Sequence, residues 1–181
     1  VMFVLISLFL FCSVMQGAVT ANWQGVPVDP CAPGAPWGIS SNWDLNVVPA
    51  DGNYRAQINN DYQSYYCIFD ALNDAGLDDE IVVINNLYVG NVRMTGLPPL
   101  PDGELYIESG KLRPEYVYIG GDYVNKIGRI VLNNDAIMDG HRHIHVGPTD
   151  KGGTRPDKES AGGSLILNGN SIASDRGAYS Y

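Results

Sequence analysis

Three copies of one motif lie in the second half of the chain, and this internal repeat limits the possible folds more than any other feature. The copies are "GELYIESGKL" (103–112), "GRIVLNNDAI" (128–137) and "GSLILNGNSI" (163–172). Aligning the three copies gives four columns of equivalent residues: Gly103, Gly128 and Gly163; Leu105, Ile130 and Leu165; Ile107, Leu132 and Leu167; Leu112, Ile137 and Ile172. Between the last two columns lie Gly, Asn and Asp, which tolerate the positive φ of tight corners. Such a repeat predicts a solenoid.

A second motif is interleaved with the first, as "LYVG" (87–90), "VYIG" (117–120) and "IHVG" (144–147). Its alternation predicts strands that place the following residues inside: Leu87, Val117 and Ile144, with Val89, Ile119 and Val146. Copies of the first motif start 25 and then 35 residues apart (128 minus 103, and 163 minus 128), and the polar segment 148–162 is a predicted loop. We therefore expect an all-β fold, a solenoid in which the short strands of successive coils stack on one another. A β-sandwich with coincidental repeats is the alternative.

The first half of the chain lacks this repeat. Residues 65–69, "YYCIF", and 80–86, "EIVVINN", are predicted strands, and 70–77 is a loop or a short helix. A solenoid must cover the apolar face of its first coil. We therefore interpret residues 22–79 as an N-terminal β cap and residues 80–181 as the β-helix repeats.

Residues 1–21 contain no charged side chain, and their apolar run ends at Met15. That run is shorter than the roughly 20 residues that a membrane-spanning helix needs. The small residues before Asn22 suit cleavage by a signal peptidase, so we interpret residues 1–21 as a secretory signal peptide. A transmembrane anchor is the alternative. The expected location is secreted or at the cell surface, with no membrane span in the mature chain.

Signal removal would leave two cysteines, Cys31 and Cys67. In an exported chain an even number of cysteines favours a disulfide, here between Cys31 and Cys67. Two free thiols are the alternative. A cysteine metal site is disfavoured because the two residues are far apart in sequence.

Charge is distributed unevenly. Residues 22–104 carry 11 acidic and 2 basic side chains, a net charge of −9, whereas residues 105–181 carry 9 of each. No basic patch is present to bind phosphates, which argues against a nucleic-acid partner. An acidic surface suits an exported protein that meets divalent cations.

The residues "W…SNWDLNVVPADGNYRAQIN", followed by "G-x-L-x-I-x-x-G-x-L…VYIG" units, resemble repetitive secreted proteins of planctomycete type. Those proteins often carry a PEP-CTERM-like sorting signal or a dockerin, and their repeats are similar to autotransporter-associated β-strand repeats. The resemblance covers roughly residues 37–172. It implies a right-handed parallel β-helix at the cell surface or outside the cell, and it assigns no catalytic residue.

Three histidines at alternate positions, His141, His143 and His145, would share one strand face. Imidazoles can bind Zn²⁺ or Cu²⁺, but alternate residues on a flat strand are spaced too widely for one ion to reach all three. We therefore expect no metal site and an outward ladder in which His145 follows Tyr88 and Tyr118. Rings in such a ladder could stack on sugars, and simple cross-strand pairing is the alternative.

Acidic residues offer further candidates, and each has a simple surface explanation. The run Asp70, Asp74, Asp78, Asp79 and Glu80 lacks the spacing of a calcium loop. Surface groups that could serve a polysaccharide-cleaving enzyme are Asp122, Asp135, Asp139 and Arg142. Their presence alone says little about activity.

From the sequence we expect an exported, non-catalytic β-solenoid that acts as a spacer or adhesion module, with no cofactor. Its partner would be an extracellular polysaccharide or the cell envelope. The alternatives are a carbohydrate-active enzyme of the polysaccharide lyase or glycoside hydrolase type and a carbohydrate-binding module on the same fold. A deep groove with convergent acids would favour an enzyme.

Overall fold

The computed structural model describes residues 17–25, 34–59, 66–77, 81–90, 103–120, 127–147 and 162–175. These residues form twelve β-strands and one short 3-10 helix, Ser40–Asn42. The strands are β1 (Val19–Asn22), β2 (Gly34–Pro36), β3 (Tyr54–Ile58), β4 (Tyr66–Asp70), β5 (Ile81–Val89), β6 (Gly103–Ser109), β7 (Lys111–Ile119), β8 (Ile127–Leu132), β9 (Ile137–Gly140), β10 (His143–Val146), β11 (Gly162–Leu167) and β12 (Ile172–Asp175). Within these ranges no helix is long and apolar enough to cross a membrane.

The described strands form two sheets, and all their pairings are parallel. The first sheet has the order β1-β3-β5-β7-β9-β12, with β10 also paired to β7. The second sheet has the order β11-β8-β6-β4-β2. Along the sequence the chain passes repeatedly from the first sheet to the second and back; it adds one strand to a sheet at each passage, except that β9 and β10 both join the first sheet. The protein is therefore a parallel β-solenoid, as the repeat predicts.

Inward columns in the second sheet confirm the alignment of the first motif. Gly103 pairs with Gly128, which pairs with Gly163. The next two columns behave in the same way; they are Leu105, Ile130 and Leu165, and Ile107, Leu132 and Leu167. Leu105, Ile107, Ile130 and Leu132 are fully buried between the sheets, and their burial provides the main stabilising contribution to the fold. In the last described coil Leu165 is only partly buried and Leu167 is 50% exposed.

Columns in the first sheet confirm the second motif. Leu87 pairs with Val117, which pairs with Ile144, and the column of Val89, Ile119 and Val146 runs beside it. The members on β5 and β7 are fully buried as predicted, whereas on β10 Ile144 is only partly buried and Val146 is 49% exposed. The glycine that ends each copy has a positive φ, as at Gly90, where φ is 64°. In each case the glycine N–H donates a hydrogen bond to a carbonyl of the preceding coil.

One predicted column is wrong. Ile137 pairs with Lys111, and Leu112 pairs with Met138 instead. The reason is the length of the corner between the sheets: three residues (108–110) separate Ile107 from Lys111, whereas four (133–136) separate Leu132 from Ile137. The extra residue turns Ile137 outward, and Ile172, which pairs with it, is 52% exposed.

Paired glycines hold together the two ends of each passage from the first sheet to the second. A Cβ added to Gly103 would lie 2.1 Å from the Gly90 nitrogen, and one added to Gly128 would lie 2.1 Å from the Gly120 nitrogen. A Cβ on Gly163 would lie 2.6 Å from the Gly147 nitrogen. We call these three glycine pairs the glycine clasps. Only glycine permits such close contact between backbones.

Residues assigned to a cap supply strands to both sheets in register with the later coils. In the first sheet Ala21 pairs with Ala56, which pairs with Leu87. In the second sheet Ala35 pairs with Cys67, which pairs with Leu105. Small residues leave room in these columns for an aromatic cluster of Trp23, Trp37, Trp43 and Phe69, in edge-to-face contacts with ring centres 4.8–5.6 Å apart. The predicted strands near 66 and 81 are confirmed, and 71–77 consists of turns.

Candidate functional site

Tyr88, Tyr118 and His145 form a stacked row on the outer face of the first sheet. The strand register places them in one column. The ring centres of Tyr88 and Tyr118 are 5.0 Å apart with planes 7° from parallel. The rings of Tyr118 and His145 are also 5.0 Å apart, at 8°. The predicted ladder is therefore present, and we call it the aromatic ladder.

Ring orientation decides what the aromatic ladder can do chemically. Rings that stack in parallel at this distance cover each other's faces, so solvent meets mainly their edges. Sugar stacking requires an open aromatic face. Within the row, one face of Tyr88, both faces of Tyr118 and one face of His145 are occupied by a neighbouring ring. The geometry therefore favours cross-strand pairing over sugar stacking as the role of these residues.

A second row lies beside the ladder and contains Tyr116 and His143 in register. The Tyr116 hydroxyl accepts a hydrogen bond from Arg142 at 2.9 Å. The guanidinium carbon of Arg142 also lies 5.5 Å from the centre of the Tyr116 ring. Arg142 forms an ion pair with Glu115 at 2.8 Å. Arg142, one of the side chains that could serve an enzyme, is therefore held in this surface network by Tyr116 and Glu115.

The three histidines do not share one strand. His143 and His145 lie on β10 with their rings outward, as predicted, but His141 lies in the bend between β9 and β10 and is exposed. The bend contains one extra residue, because Ile137 pairs with Lys111 while His143 pairs with Tyr116. Across the described ranges, no group of three or more His, Cys, Asp or Glu side chains could hold a metal ion.

Among the acidic candidates that the structure describes, Asp139 is the most buried, with a side chain that is only 2% exposed. It receives Lys111 Nζ at 3.0 Å and Arg113 Nε at 3.3 Å. The Ser174 hydroxyl donates to its other oxygen at 3.0 Å. A buried carboxylate that is paired in this way is typical of a structural ion pair.

Other acidic candidates are scattered. Asp70 and Asp74 accept hydrogen bonds within the turn that follows β4, and Asp135 accepts one from Asn170. Four candidates lie outside the described residues: Asp78, Asp79, Glu80 and Asp122.

The predicted disulfide is not found. Cys67 is a free cysteine, fully buried in the inward column between Ala35 and Leu105. Burial, together with the nearby charge of Asp74, raises the pKa of its thiol well above the ordinary value of 9.0. Cys31, the other half of the predicted pair, lies outside the described residues.

The structure also contains a cleft that the sequence did not indicate. It has a volume of about 600 Å³ and lies where the chain returns from the second sheet to the first. Its lining includes aliphatic side chains, Leu72, Ile81 and Ile137, and charged ones, Glu108, Lys111 and Asp135. We call it the corner cleft. These residues come from three successive corners, and no single motif contains them.

Comparisons with known proteins do not extend this picture. No family model matches the chain, and no match is found among curated proteins or among solved structures.

Proposed function

We propose that the protein is an exported, non-catalytic β-solenoid that acts as a rigid spacer or adhesion module at the cell surface or in the extracellular matrix. The observation that supports this best is the aromatic ladder, in which Tyr88, Tyr118 and His145 contact one another across successive strands. Aromatic pairs of this kind contribute about 0.5–1.5 kcal/mol beyond the burial of their area. Such contacts stiffen the junctions between coils.

Outward side chains of the second sheet also contact their neighbours on adjacent coils. The Tyr66 and Tyr106 ring centres are 4.3 Å apart. Glu104 on β6 forms an ion pair with Arg129 on β8 at 2.9 Å. Exposed ion pairs of this kind are individually weak. Their repetition along the solenoid supports a mechanical role, because much of the polar surface is used to join coils.

Two further observations bear on export. The uncharged apolar start of the sequence supports a signal peptide. Strand β1, however, contains Val19, Thr20 and Ala21, and cleavage after Ala21 would remove these three of its four residues. Most of the predicted signal, residues 1–16, lies outside the described ranges.

Export is tested by producing the full chain in a bacterium that secretes proteins and by measuring the mass of the exported product. We expect a mature form that begins near Asn22 and has lost the apolar start. A protein retained in the cytoplasm with an intact N-terminus would contradict the export proposal.

The spacer role is tested by affinity electrophoresis in gels that contain one polysaccharide each, with wild-type protein and the Tyr118→Ala variant. We expect no sugar release and equal mobility of the two proteins, together with a loss of about 1 kcal/mol of stability in the variant. The matched control is Tyr54→Ala, which removes a half-buried tyrosine from the first sheet outside the ladder. The spacer proposal would be overturned if a polysaccharide gel retarded the wild type and the Tyr54→Ala control but not Tyr118→Ala, because that result would show carbohydrate binding at the ladder.

A further inference from the structure

Asp70, at the end of β4, and Leu72 and Asn73, in the turn that follows, form one wall of the corner cleft. Eleven residues (70–80) separate Phe69 from Ile81, whereas the two following corners need three and four. The pairing of Phe69 with Ile107 and of Ile81 with Lys111 shows that these corners stack in register. The longer first corner therefore borders a depression formed by the shorter ones.

Hydrogen bonds hold the described part of this wall in place. The Ser109 hydroxyl accepts a hydrogen bond from the Leu72 N–H at 3.0 Å and donates one to Asp70. The Asn73 amide donates to both oxygens of Asp70 at 3.0 Å. On the far side Asp74 accepts a hydrogen bond from the Gly38 N–H at 2.6 Å. The cleft is thus preformed, which lowers the entropy cost of binding a ligand.

The cleft exposes large aliphatic side chains. Leu72 is 60% exposed and Ile81 is 47% exposed, and Ile137 completes the apolar lining. Aliphatic walls of this kind suit a methylene chain. No aromatic ring lines the described cleft, which argues against a sugar ring as the ligand.

Charge in the cleft is negative. The ammonium of Lys111 is paired with the buried Asp139 carboxylate at 3.0 Å. Glu108 and Asp135 each use one carboxylate oxygen to accept a hydrogen bond, from Asn133 and Asn170 respectively. In the described part of the chain no hydrogen-bond partner is found for their second oxygens, which are therefore available to a cation.

We propose that the corner cleft binds a short aliphatic diamine, whose methylene chain packs against Leu72, Ile81 and Ile137 while its ammonium groups bind Glu108 and Asp135. This proposal does not depend on the spacer role. An inorganic cation fits less well, because much of the lining is aliphatic. A second copy of the chain fits less well too, because each copy carries a net charge of −9.

Calorimetric titration of the full chain with 1,4-diaminobutane at neutral pH tests the proposal, with 1,4-butanediol as the uncharged probe. We expect saturable one-to-one binding of the diamine and none of the diol. Leu72→Gln and Asp135→Asn should each weaken binding about tenfold, since each removes one of the two kinds of contact. Both side chains are exposed, so these variants should keep the wild-type melting temperature.

Matched controls are Val83→Gln, which replaces an aliphatic side chain that is 41% exposed outside the cleft, and Asp51→Asn, which removes a charge from a turn that does not line the cleft. These should bind as the wild type does. The proposal is overturned by an absence of saturable binding, by equally tight binding of the diol, or by equal losses in Asp51→Asn and Asp135→Asn. Binding that needs Asp135 but not Leu72 would also overturn it, because only diffuse attraction to acidic groups would remain.

Discussion

The two edges at which the chain crosses between its sheets keep the coils regular in opposite ways. From the first sheet to the second, 12, 7 and 15 residues separate the partners of the three glycine clasps. On the return, the three short corners contain three, four and four residues, 108–110, 133–136 and 168–171. There, Asn133 donates a hydrogen bond to Glu108 and accepts one from Asn168, so side chains link corner to corner.

This difference shows where a solenoid tolerates variation. At a clasp the two backbones touch, so the coil closes whatever length of chain lies between them. At a short corner there is no such closure, and one additional residue shifts the register of the strand that follows, as it does at Ile137. The comparison predicts that clasp glycines are intolerant of any side chain, while the segments between them are tolerant of insertion.

The largest effect is expected from Gly128→Ala. The new Cβ would lie 2.1 Å from the Gly120 nitrogen and 2.2 Å from the Val89 carbonyl oxygen, both backbone atoms that can move only with their strands. We expect a loss of at least about 3 kcal/mol, or no folding at all. Urea unfolding followed by tryptophan fluorescence measures the loss. Gly162→Ala is the control, since a Cβ there meets nothing within 4 Å. Similar stability of the two variants would disprove the clasp.

A smaller effect is expected from truncating the inward column at Leu132. Leu132 is fully buried, whereas its neighbour Leu167 in the same column is 50% exposed at the end of the described stack. Leu132→Ala should therefore cost about 2–5 kcal/mol, and Leu167→Ala roughly half as much or less. The same unfolding measurement compares them. Equal losses would mean that another layer covers Leu167 in solution. Leu132→Asp should prevent folding, because it buries an unpaired charge.

These columns are also the part of the fold that the sequence predicts best. Leu105, Ile130 and Leu165 could be aligned because each lies two residues after a repeat glycine, and strand alternation fixes which side faces inward. The alignment failed at Ile137 because the backbone conformation of a corner sets its length. In the corner 133–136 the positive φ is adopted by Asn134, at 53°, whereas in the corner 108–110 it is adopted by Gly110, at 72°.

Candidate sites were less predictable for two physical reasons. The aromatic ladder follows from strand register, so Tyr88, Tyr118 and His145 were placed correctly, but the orientation of their rings could not be known from spacing. The corner cleft depends on how the turn after β4 lies beside two later corners. The glycine clasps were missed although all six glycines stood in recognised columns, because contact between columns is a tertiary property.

Alkaline pH should reveal the buried Cys67. Its folded pKa is raised above 9.0, so the thiol stays protonated in the folded state while the unfolded state ionises. Stability is then complete below pH 9 and falls as pH rises further, by up to about 1.4 kcal/mol per pH unit. Cys67→Ala should remove this slope. The substitution places in the column the same residue type that Cys67 pairs with on the neighbouring strand, Ala35. Unfolding measured at pH 8, 9 and 10 gives the comparison. An unchanged slope in the variant would mean that another group causes the loss.

The smallest effect is expected from lengthening the segments between clasp partners. Each clasp is closed by a backbone hydrogen bond to the preceding coil, from Gly120 to Val89 at 2.9 Å and from Gly147 to Ile119 at 2.8 Å. Four Gly and Ser residues inserted after Lys151 should cost well under about 0.6 kcal/mol, since loop entropy grows only with the logarithm of length. The same insertion after Asp122 should cost slightly more, because that segment is shorter. Urea unfolding of both variants tests this, and a loss above about 2 kcal/mol in either would show that the segment itself, and not the clasp, keeps the coil closed.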